Sequence, residues 1–188
     1  MAYKDETLTF ASDKIYYTNE GLEFEVMMDW EDSIMKASAD YVCEGGGDIL
    51  EIGFGMGIAA DYIQANSITS HTIVENHPQM IEKAKAWAED KPNVTIVEGD
   101  WYEVKDSLSK YNGVFYDTWG DDNIDSFTTT LPNLTKPGAR VTWWNNHTDV
   151  DDVFYIEGTT YQALDVEPVD NIYFTKDVYY LPKMKFNA

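Results

Sequence analysis

The stretch Asp48-Ile-Leu-Glu-Ile-Gly-Phe-Gly-Met-Gly57 decides the fold. Its first five residues form a short apolar run bounded by glycines, which is typical of a buried strand. Residues 58–65, which follow the third glycine of the stretch, have the pattern of a helix. Glycines between a strand and a helix let the backbone turn sharply and approach a ligand beside the positive end of the helix. The stretch therefore predicts a ligand-binding turn in an α/β fold.

Strands and helices alternate outward from this turn. Apolar runs predict strands at 48–52, 71–75, 93–98, 113–117 and 140–144, and helical spacing predicts helices at 26–42, 58–65, 78–89 and 123–134. Lys136-Pro-Gly-Ala139 is expected to be a turn. Residues 162–174 and 178–186 are rich in β-branched and aromatic side chains, which favours an antiparallel pair. This order predicts a mostly parallel sheet with an antiparallel edge.

The composition excludes several classes of protein. The 188 residues carry 34 acidic and 13 basic side chains, and the net charge of −21 repels nucleic-acid phosphates but suits a cationic ligand or life at high salt. The single cysteine, Cys43, forms no intrachain disulfide and fits a reducing compartment. The sequence opens without a signal pattern and has no apolar run of the roughly 18 residues that span a membrane. We expect a cytoplasmic monomer or homodimer with neither nucleic-acid nor membrane partners.

Residues at the predicted strand ends resemble class I S-adenosylmethionine-dependent methyltransferases. Glu51 leads the glycine loop, Glu75 ends the next strand where an acid grips ribose hydroxyls in dinucleotide folds, and Gly99-Asp-Trp101 ends the third. The resemblance implies S-adenosylmethionine as cofactor and S-adenosylhomocysteine as product, with Asp100 facing the adenine amino group. The cofactor-binding residues that it implies are Glu51, Gly53, Phe54, Gly55, Met56, Gly57, Glu75, Asn76, Gly99, Asp100, Trp101 and Asp117.

The resemblance also fixes the expected architecture. It implies an α/β fold with a single Rossmann-like methyltransferase domain over residues 26–188, built on a mostly parallel seven-stranded sheet with an antiparallel C-terminal hairpin. Residues 1–25 are expected to form an N-terminal segment or a lid over the site, because Phe10, Tyr16 and Tyr17 supply aromatic side chains there.

Within that superfamily the sequence resembles guanidinoacetate N-methyltransferase from about Val26 to Phe186. The resemblance is carried by Met28-Asp-Trp-Glu31, by Leu50-Glu-Ile-Gly-Phe-Gly-Met56, by Tyr116-Asp-Thr118 and by Tyr179-Tyr180. It implies that Glu31 and Asp117 are the catalytic carboxylates, that both bind a guanidinium and that Asp117 is the base. The substrate-binding residues that it implies are Glu31, Asp117, Thr118, Asn145, Asn146 and His147.

The chemistry of a guanidinium agrees with two carboxylates. The group is a planar cation with a fork of N–H donors, which pairs best with carboxylates that receive parallel hydrogen bonds. Methylation of its nitrogen also requires that a proton leave, and a carboxylate within about 3 Å can accept that proton. We therefore expect methyl transfer from S-adenosylmethionine to a guanidino nitrogen of a small molecule similar to guanidinoacetate.

Other functions compete with this expectation. A methyltransferase for another small amine, a non-catalytic S-adenosylmethionine binder and a cofactor-cleaving enzyme stay open. A nucleic-acid amine methyltransferase is disfavoured because Tyr116-Asp-Thr-Trp119 stands where that class has an Asn/Asp-Pro-Pro-aromatic run. A protein arginine methyltransferase is disfavoured because the chain has no room for a second larger domain and lacks a two-glutamate hairpin. We expect no metal site, because His71, His77 and His147 share no metal-ligand spacing.

Overall fold

The structure, a computed structural model, describes residues 3–146 and 156–187. The strands are β1 (Thr9–Phe10), β2 (Lys14–Asn19), β3 (Leu22–Met28), β4 (Asp48–Ile52), β5 (Ser70–Glu75), β6 (Val94–Glu98), β7 (Tyr111–Tyr116), β8 (Thr135–Trp143), β9 (Thr160–Asp165) and β10 (Val178–Lys185). The helices are α1 (Asp32–Cys43), α2 (Ile58–Ala65), α3 (Pro78–Ala88), α4 (Trp101–Val104) and α5 (Phe127–Leu134). Short 3-10 turns lie at Tyr3–Asp5, Asp29–Glu31, Lys105–Ser107 and Ile124–Ser126.

The central sheet has seven strands in the order β6-β5-β4-β7-β8-β10-β9. The first five of these run parallel, and β10 is antiparallel to both of its neighbours. Ile49, Leu50, Val114 and Val141 in the middle strands are fully buried, as expected where helices cover both faces of a parallel sheet. The predicted single Rossmann-like domain with a C-terminal hairpin is confirmed. Such a sheet binds ligands beyond the carboxyl ends of its parallel strands.

A second sheet, of three antiparallel strands in the order β1-β2-β3, precedes the domain. It is tied to α3 at Leu8, whose N–H donates to Gln79 Oε1 at 2.8 Å and whose carbonyl accepts from Gln79 Nε2 at 3.2 Å. Strand β3 continues to Met28 and leads directly into the 3-10 turn before α1. The expected boundary between residues 25 and 26 therefore falls inside one strand.

Three predicted elements differ from the structure. The helix expected at 26–42 begins only at Asp32, because Val26–Met28 are part of strand β3, in which Met27 and Met28 pair with β2 and Val26 lies at a register shift. The turn expected at 136–139 lies within β8, where the Gly138 N–H donates to the Phe186 carbonyl at 2.6 Å. The strand expected at 162–174 ends at Asp165. The first two errors come from long-range pairings that override a local pattern, and the third comes from a turn after Asp165 that the Asn171 side chain organises by local hydrogen bonds.

Among the described residues, no helix has both the length and the apolar character that crossing a membrane requires.

Candidate active site

A cavity of about 340 Å³ opens at the carboxyl ends of β4, β5, β7 and β8. Its lining residues are Tyr3, Val26, Met27, Glu31, Ile52, Gly53, Gly55, Val74, Glu75, Asn76, Met80, Gly99, Trp101, Asp117, Thr118, Trp119, Gly120, Asp121, Trp144, Asn146 and Tyr173. Both sheets and the segment between β9 and β10 therefore contribute to one site.

The glycine loop after β4 is shaped by contacts that only glycine permits. Gly53 has a φ of +96°, and a Cβ there would lie 1.9 Å from the Asp117 carbonyl oxygen. Gly55 has a φ of +54°, and a Cβ there would lie 2.3 Å from Met27 Sδ. Backbone without side chains thus borders the cavity beside the start of α2, a cradle that fits the close approach of a nucleoside cofactor.

Glu75 organises the other side of this cradle. Its Oε2 accepts the Phe54 N–H at 3.0 Å, and its Oε1 accepts the N–H groups of Asn76 and His77, each at 2.8 Å. Burial raises the pKa of Glu75, and these backbone hydrogen bonds lower it. A carboxylate oxygen has two lone pairs, so Oε2 retains acceptor capacity for a ribose hydroxyl.

The predicted cofactor residues divide into two groups. Those that line the cavity are Gly53, Gly55, Glu75, Asn76, Gly99, Trp101 and Asp117. Those that do not line it are Glu51, Phe54, Met56, Gly57 and Asp100. Glu51 is buried with its Oε2 2.8 Å from His71 Nε2, and Asp100 caps α4 by accepting the Tyr102 N–H at 2.8 Å.

Glu31 ends the 3-10 turn that joins β3 to α1 and is 4% exposed. Its Oε1 accepts the Met28 N–H at 2.8 Å and the Tyr173 hydroxyl at 2.6 Å. Burial, together with the nearby Asp117 carboxylate, raises the pKa of Glu31 to about 8 although both hydrogen bonds oppose the shift. The carboxyl group is therefore held at the cavity wall by donors from opposite ends of the sequence.

Asp117 follows β7 directly, and its N–H donates to the Ile52 carbonyl at 2.9 Å, which fixes it at the end of the central strands. Burial, with a smaller contribution from the Glu51 carboxylate, raises the pKa of Asp117 to about 7. Glu31 and Asp117 line the same cavity as the glycine loop. Two acids with raised pKa values at one wall are stabilised in their charged forms by an approaching cation.

Asp121 is a cavity residue for which sequence reasoning found no role. Its Oδ2 accepts from the Trp101 indole N–H at 2.6 Å, from the Thr118 hydroxyl at 3.3 Å and from the Tyr116 hydroxyl. It thereby ties the segment after β7 to the segment after β6. Trp144 and Tyr173 also line the cavity without having been expected there. Tyr173 follows no motif, so only the fold reveals its position.

Of the other predicted substrate residues, which follow β7 and β8, some line the cavity and one is buried away from it. Asn145 is fully buried: its N–H donates to the Tyr179 hydroxyl at 2.8 Å and its Nδ2 to the Tyr180 carbonyl at 3.0 Å. It anchors the hairpin and does not line the cavity, whereas Asn146 and Thr118 do. His147 lies outside the described residues. No group of three or more metal-ligating side chains occurs in 3–146 or 156–187.

Comparisons with known proteins agree with this geometry. Residues 9–145 match the family model described as guanidinoacetate N-methyltransferase. The chain is 31% identical to protein arginine N-methyltransferase 2 of Candida glabrata over 95% of this chain and 52% of that protein. It is 36% identical to the Yarrowia lipolytica protein of the same name over 74% of this chain and 32% of that protein. The chain thus spans at most about half the length of these relatives.

A solved structure with the same fold is that of precorrin-6y C5,15-methyltransferase from Geobacter metallireducens. It superposes with a TM-score of 0.61 at 13% identity, over 92% of this chain and 94% of that one. At this identity the likeness concerns the fold alone.

The relatives overturn one expectation. A small-molecule guanidino or amine acceptor was expected as substrate and partner. The matched relatives are instead named protein arginine N-methyltransferase 2, a name that refers to arginine in proteins. Protein arginine methyltransferases were disfavoured for want of a second domain, but this reason does not hold, because a relative of that name matches this chain over only 52% of its own length. The family model matches most of the chain, and the relatives are methyltransferases by name: this chain belongs to the guanidinoacetate N-methyltransferase family and is an S-adenosylmethionine-dependent methyltransferase.

Proposed function

We propose that this chain transfers a methyl group from S-adenosylmethionine to a guanidino nitrogen of an arginine side chain in a protein. The observation that carries the proposal is that Glu31 and Asp117 line one cavity together with the glycine loop. The names of the relatives support the class of acceptor. The net charge of −21 supports a basic partner, because it attracts cationic segments over a distance.

In this proposal the two carboxylates hold the arginine. The guanidinium offers several N–H donors in a plane, and Glu31 and Asp117 supply oxygens from different elements at one wall. The positive charge of the acceptor lowers the pKa of both acids, so that its binding expels their protons. Trp144 and Tyr173 form an aromatic part of the same wall, where a guanidinium gains cation–π attraction of about 0.5–2 kcal/mol.

Asp117 is proposed as the base. It lies beside the glycine loop, since the Gly53 backbone packs against the Asp117 carbonyl, and it lines the same cavity as that loop. S-adenosylmethionine supplies an electrophilic methyl group when bound there. Asp117 accepts the proton that the guanidino nitrogen loses as its new bond forms. Fixed alignment of the acceptor contributes to the rate as well.

The three-stranded sheet is proposed to close the cavity, as expected for residues 1–25, with 26–188 as the methyltransferase domain. Tyr3 lines the cavity, and its ring lies 5.4 Å from Trp119 and 5.0 Å from His77 between centroids. The Trp119 indole in turn donates to the Glu25 carbonyl at 2.9 Å. This cover excludes water from the reacting groups.

The test is an acceptor screen with methyl-labelled S-adenosylmethionine. The acceptors are synthetic peptides with one central arginine flanked by glycine, lysine or glutamate, the same peptides with lysine in place of the arginine, and guanidinoacetate. We expect label only in arginine peptides, most strongly with basic flanks. Label in guanidinoacetate alone, or loss of cofactor without a labelled acceptor, would overturn the proposal.

A further inference from the structure

We propose that Tyr173 is a positioning residue that orients Glu31, so that one defined oxygen of this carboxylate meets the methyl acceptor. The identity of the acceptor as an arginine rests on the proposed function, but the role of Tyr173 rests on the geometry. The two residues are 142 positions apart in the sequence, and no motif connects them.

The two oxygens of Glu31 are used unequally. Oε1 accepts from both the Tyr173 hydroxyl, at 2.6 Å, and the Met28 N–H, at 2.8 Å. A carboxylate oxygen has two lone pairs, and both lone pairs of Oε1 are therefore engaged. None of the residues that the structure describes donates to Oε2, although Glu31 is a lining residue. Oε2 is therefore the oxygen left for an N–H donor of the acceptor.

Tyr173 is itself held in place by the segment between β9 and β10. The Asn171 side chain organises this segment: its Oδ1 accepts the N–H groups of Tyr173 at 3.0 Å and Phe174 at 2.7 Å. Its Nδ2 donates to the carbonyls of Val169 at 2.7 Å and Phe174 at 2.8 Å. A fully hydrogen-bonded side chain of this kind fixes the backbone that presents the tyrosine.

Ring packing fixes the direction of the hydroxyl. The Tyr173 ring stacks on Trp30 at 6.0 Å and 27°, and it meets Trp144 edge-on at 6.1 Å and 62°. These contacts do not involve the hydroxyl, so replacement by phenylalanine removes the hydrogen bond and keeps the packing. Such a substitution removes the donor to Glu31, together with the interaction of the hydroxyl with the Trp30 side chain, and keeps the ring in place.

The charge state of Glu31 responds to this hydrogen bond. Burial and Asp117 raise the pKa of Glu31, whereas the Tyr173 hydroxyl and the Met28 N–H lower it. Asp117 and Tyr173 are the titratable groups that act on Glu31. Loss of the hydroxyl removes one of the two stabilising donors, so the pKa of Glu31 rises further. Glu31 is then ionised only at higher pH.

The first experiment measures this directly, without cofactor or acceptor. The Glu31 carboxyl is titrated by NMR in protein labelled at glutamate side-chain carbons, with the signal assigned by its absence in Glu31→Gln. In Tyr173→Phe we expect the midpoint to move up by about one pH unit. The control is Tyr62→Phe, which removes a tyrosine hydrogen bond to a surface carboxylate, Asp32, at 3.0 Å. An unmoved or lowered midpoint in Tyr173→Phe overturns the proposal.

The second experiment uses the arginine peptide and S-adenosylmethionine. In Tyr173→Phe we expect kcat/KM to fall roughly tenfold at neutral pH and the deficit to shrink at alkaline pH, where Glu31 is ionised in both proteins. A deficit that is equal at all pH values indicates structural damage and overturns the positioning role. A wild-type protein inactive on every arginine peptide, with the titration shift present, overturns the proposed function and leaves the role of Tyr173 intact.

Discussion

The cavity has a cofactor side around Glu75 and an acceptor side around Glu31 and Asp117, and the two sides hold their carboxylates differently. On the cofactor side, both Glu75 oxygens receive backbone N–H groups, three in all: one from Phe54 of the glycine loop, and two from Asn76 and His77, which follow Glu75. On the acceptor side, Glu31 receives two donors on a single oxygen, and the pKa values of Glu31 and Asp117 rise to about 8 and about 7. The Glu75 carboxylate is thus held by donors of the protein itself, whereas the ionised forms of Glu31 and Asp117 are stabilised when a cation binds.

This difference separates two tasks. A neutral ribose hydroxyl needs an acceptor in a fixed place, and backbone donors fix Glu75 for that purpose. A guanidinium binds best to ionised carboxylates in a poorly solvated cavity wall. An ionised carboxylate there lowers the stability of the folded protein until the cation binds and pairs with it. Burial raises the pKa of the acids on both sides, but the backbone N–H groups around Glu75 offset part of this effect, whereas Glu31 and Asp117 are best stabilised in their ionised forms when a cation binds.

The largest effect is expected from Asp117→Asn, which keeps the shape of the acceptor side but removes its base. Methyl transfer to arginine peptides should fall by about a thousandfold or more, because no group accepts the departing proton. Affinity for S-adenosylmethionine, measured by isothermal titration, should stay within about threefold. Asp125→Asn, at an exposed acid, is the control. A fully active Asp117→Asn protein contradicts the assignment.

The next largest effect is expected from Gly53→Ala, which disturbs the contact between the glycine loop of the cofactor side and Asp117 of the acceptor side. A Cβ there meets the Asp117 carbonyl at 1.9 Å, so either the glycine loop or Asp117 must move. Cofactor affinity and transfer should both fall by roughly a hundredfold. Gly21→Ala is the matched control, because Gly21 has a φ of +80° with no atom within 4 Å. Equal losses in the two variants would show that backbone strain, not the close contact, matters.

A smaller effect is expected on stability. Folding raises the pKa of Glu31 from 4.5 to about 8, so the folded state keeps a proton that the unfolded state has lost. The resulting penalty is absent below pH 4.5 and grows as the pH rises toward 8. Glu31→Gln should therefore exceed wild type in free energy of unfolding by on the order of 2 kcal/mol at pH 9, and much less at pH 5.

Urea denaturation at the two pH values measures this difference. Glu82→Gln, at an exposed position on α3, is the control and should follow wild type at both pH values. If Glu31→Gln is no more stable than wild type at pH 9, then the acceptor side carries no charge penalty and the contrast between the two sides disappears.

The cofactor side could be predicted from the sequence because its parts are local. One contiguous stretch carries β4, the glycine loop and the start of α2, and Glu75 ends the next strand. Strand, turn and helix patterns of this kind depend on neighbouring residues. The fold class followed from the same local alternation.

The acceptor side was predicted only in part. A family resemblance predicted that Glu31 and Asp117 act together, and both line one cavity. The helix expected from residue 26 begins instead at Asp32, because β3 pairs with β2 in the second sheet. Tyr173 was missed because the turn organised by Asn171 has no periodic pattern. The predicted class of substrate was wrong because the motifs of the family concern binding of the guanidino group. They contain no information about the molecule that carries this group.

The hydrogen bond between Tyr173 and Glu31 has a consequence for how the protein is made. Translation delivers Glu31 and the glycine loop before Tyr173, which follows Glu31 by 142 positions. The residues of the donor pocket are therefore synthesised before the tyrosine that completes the acceptor wall. Synthesis halted between residues 146 and 173 yields a polypeptide that lacks the hydroxyl needed to align this carboxylate.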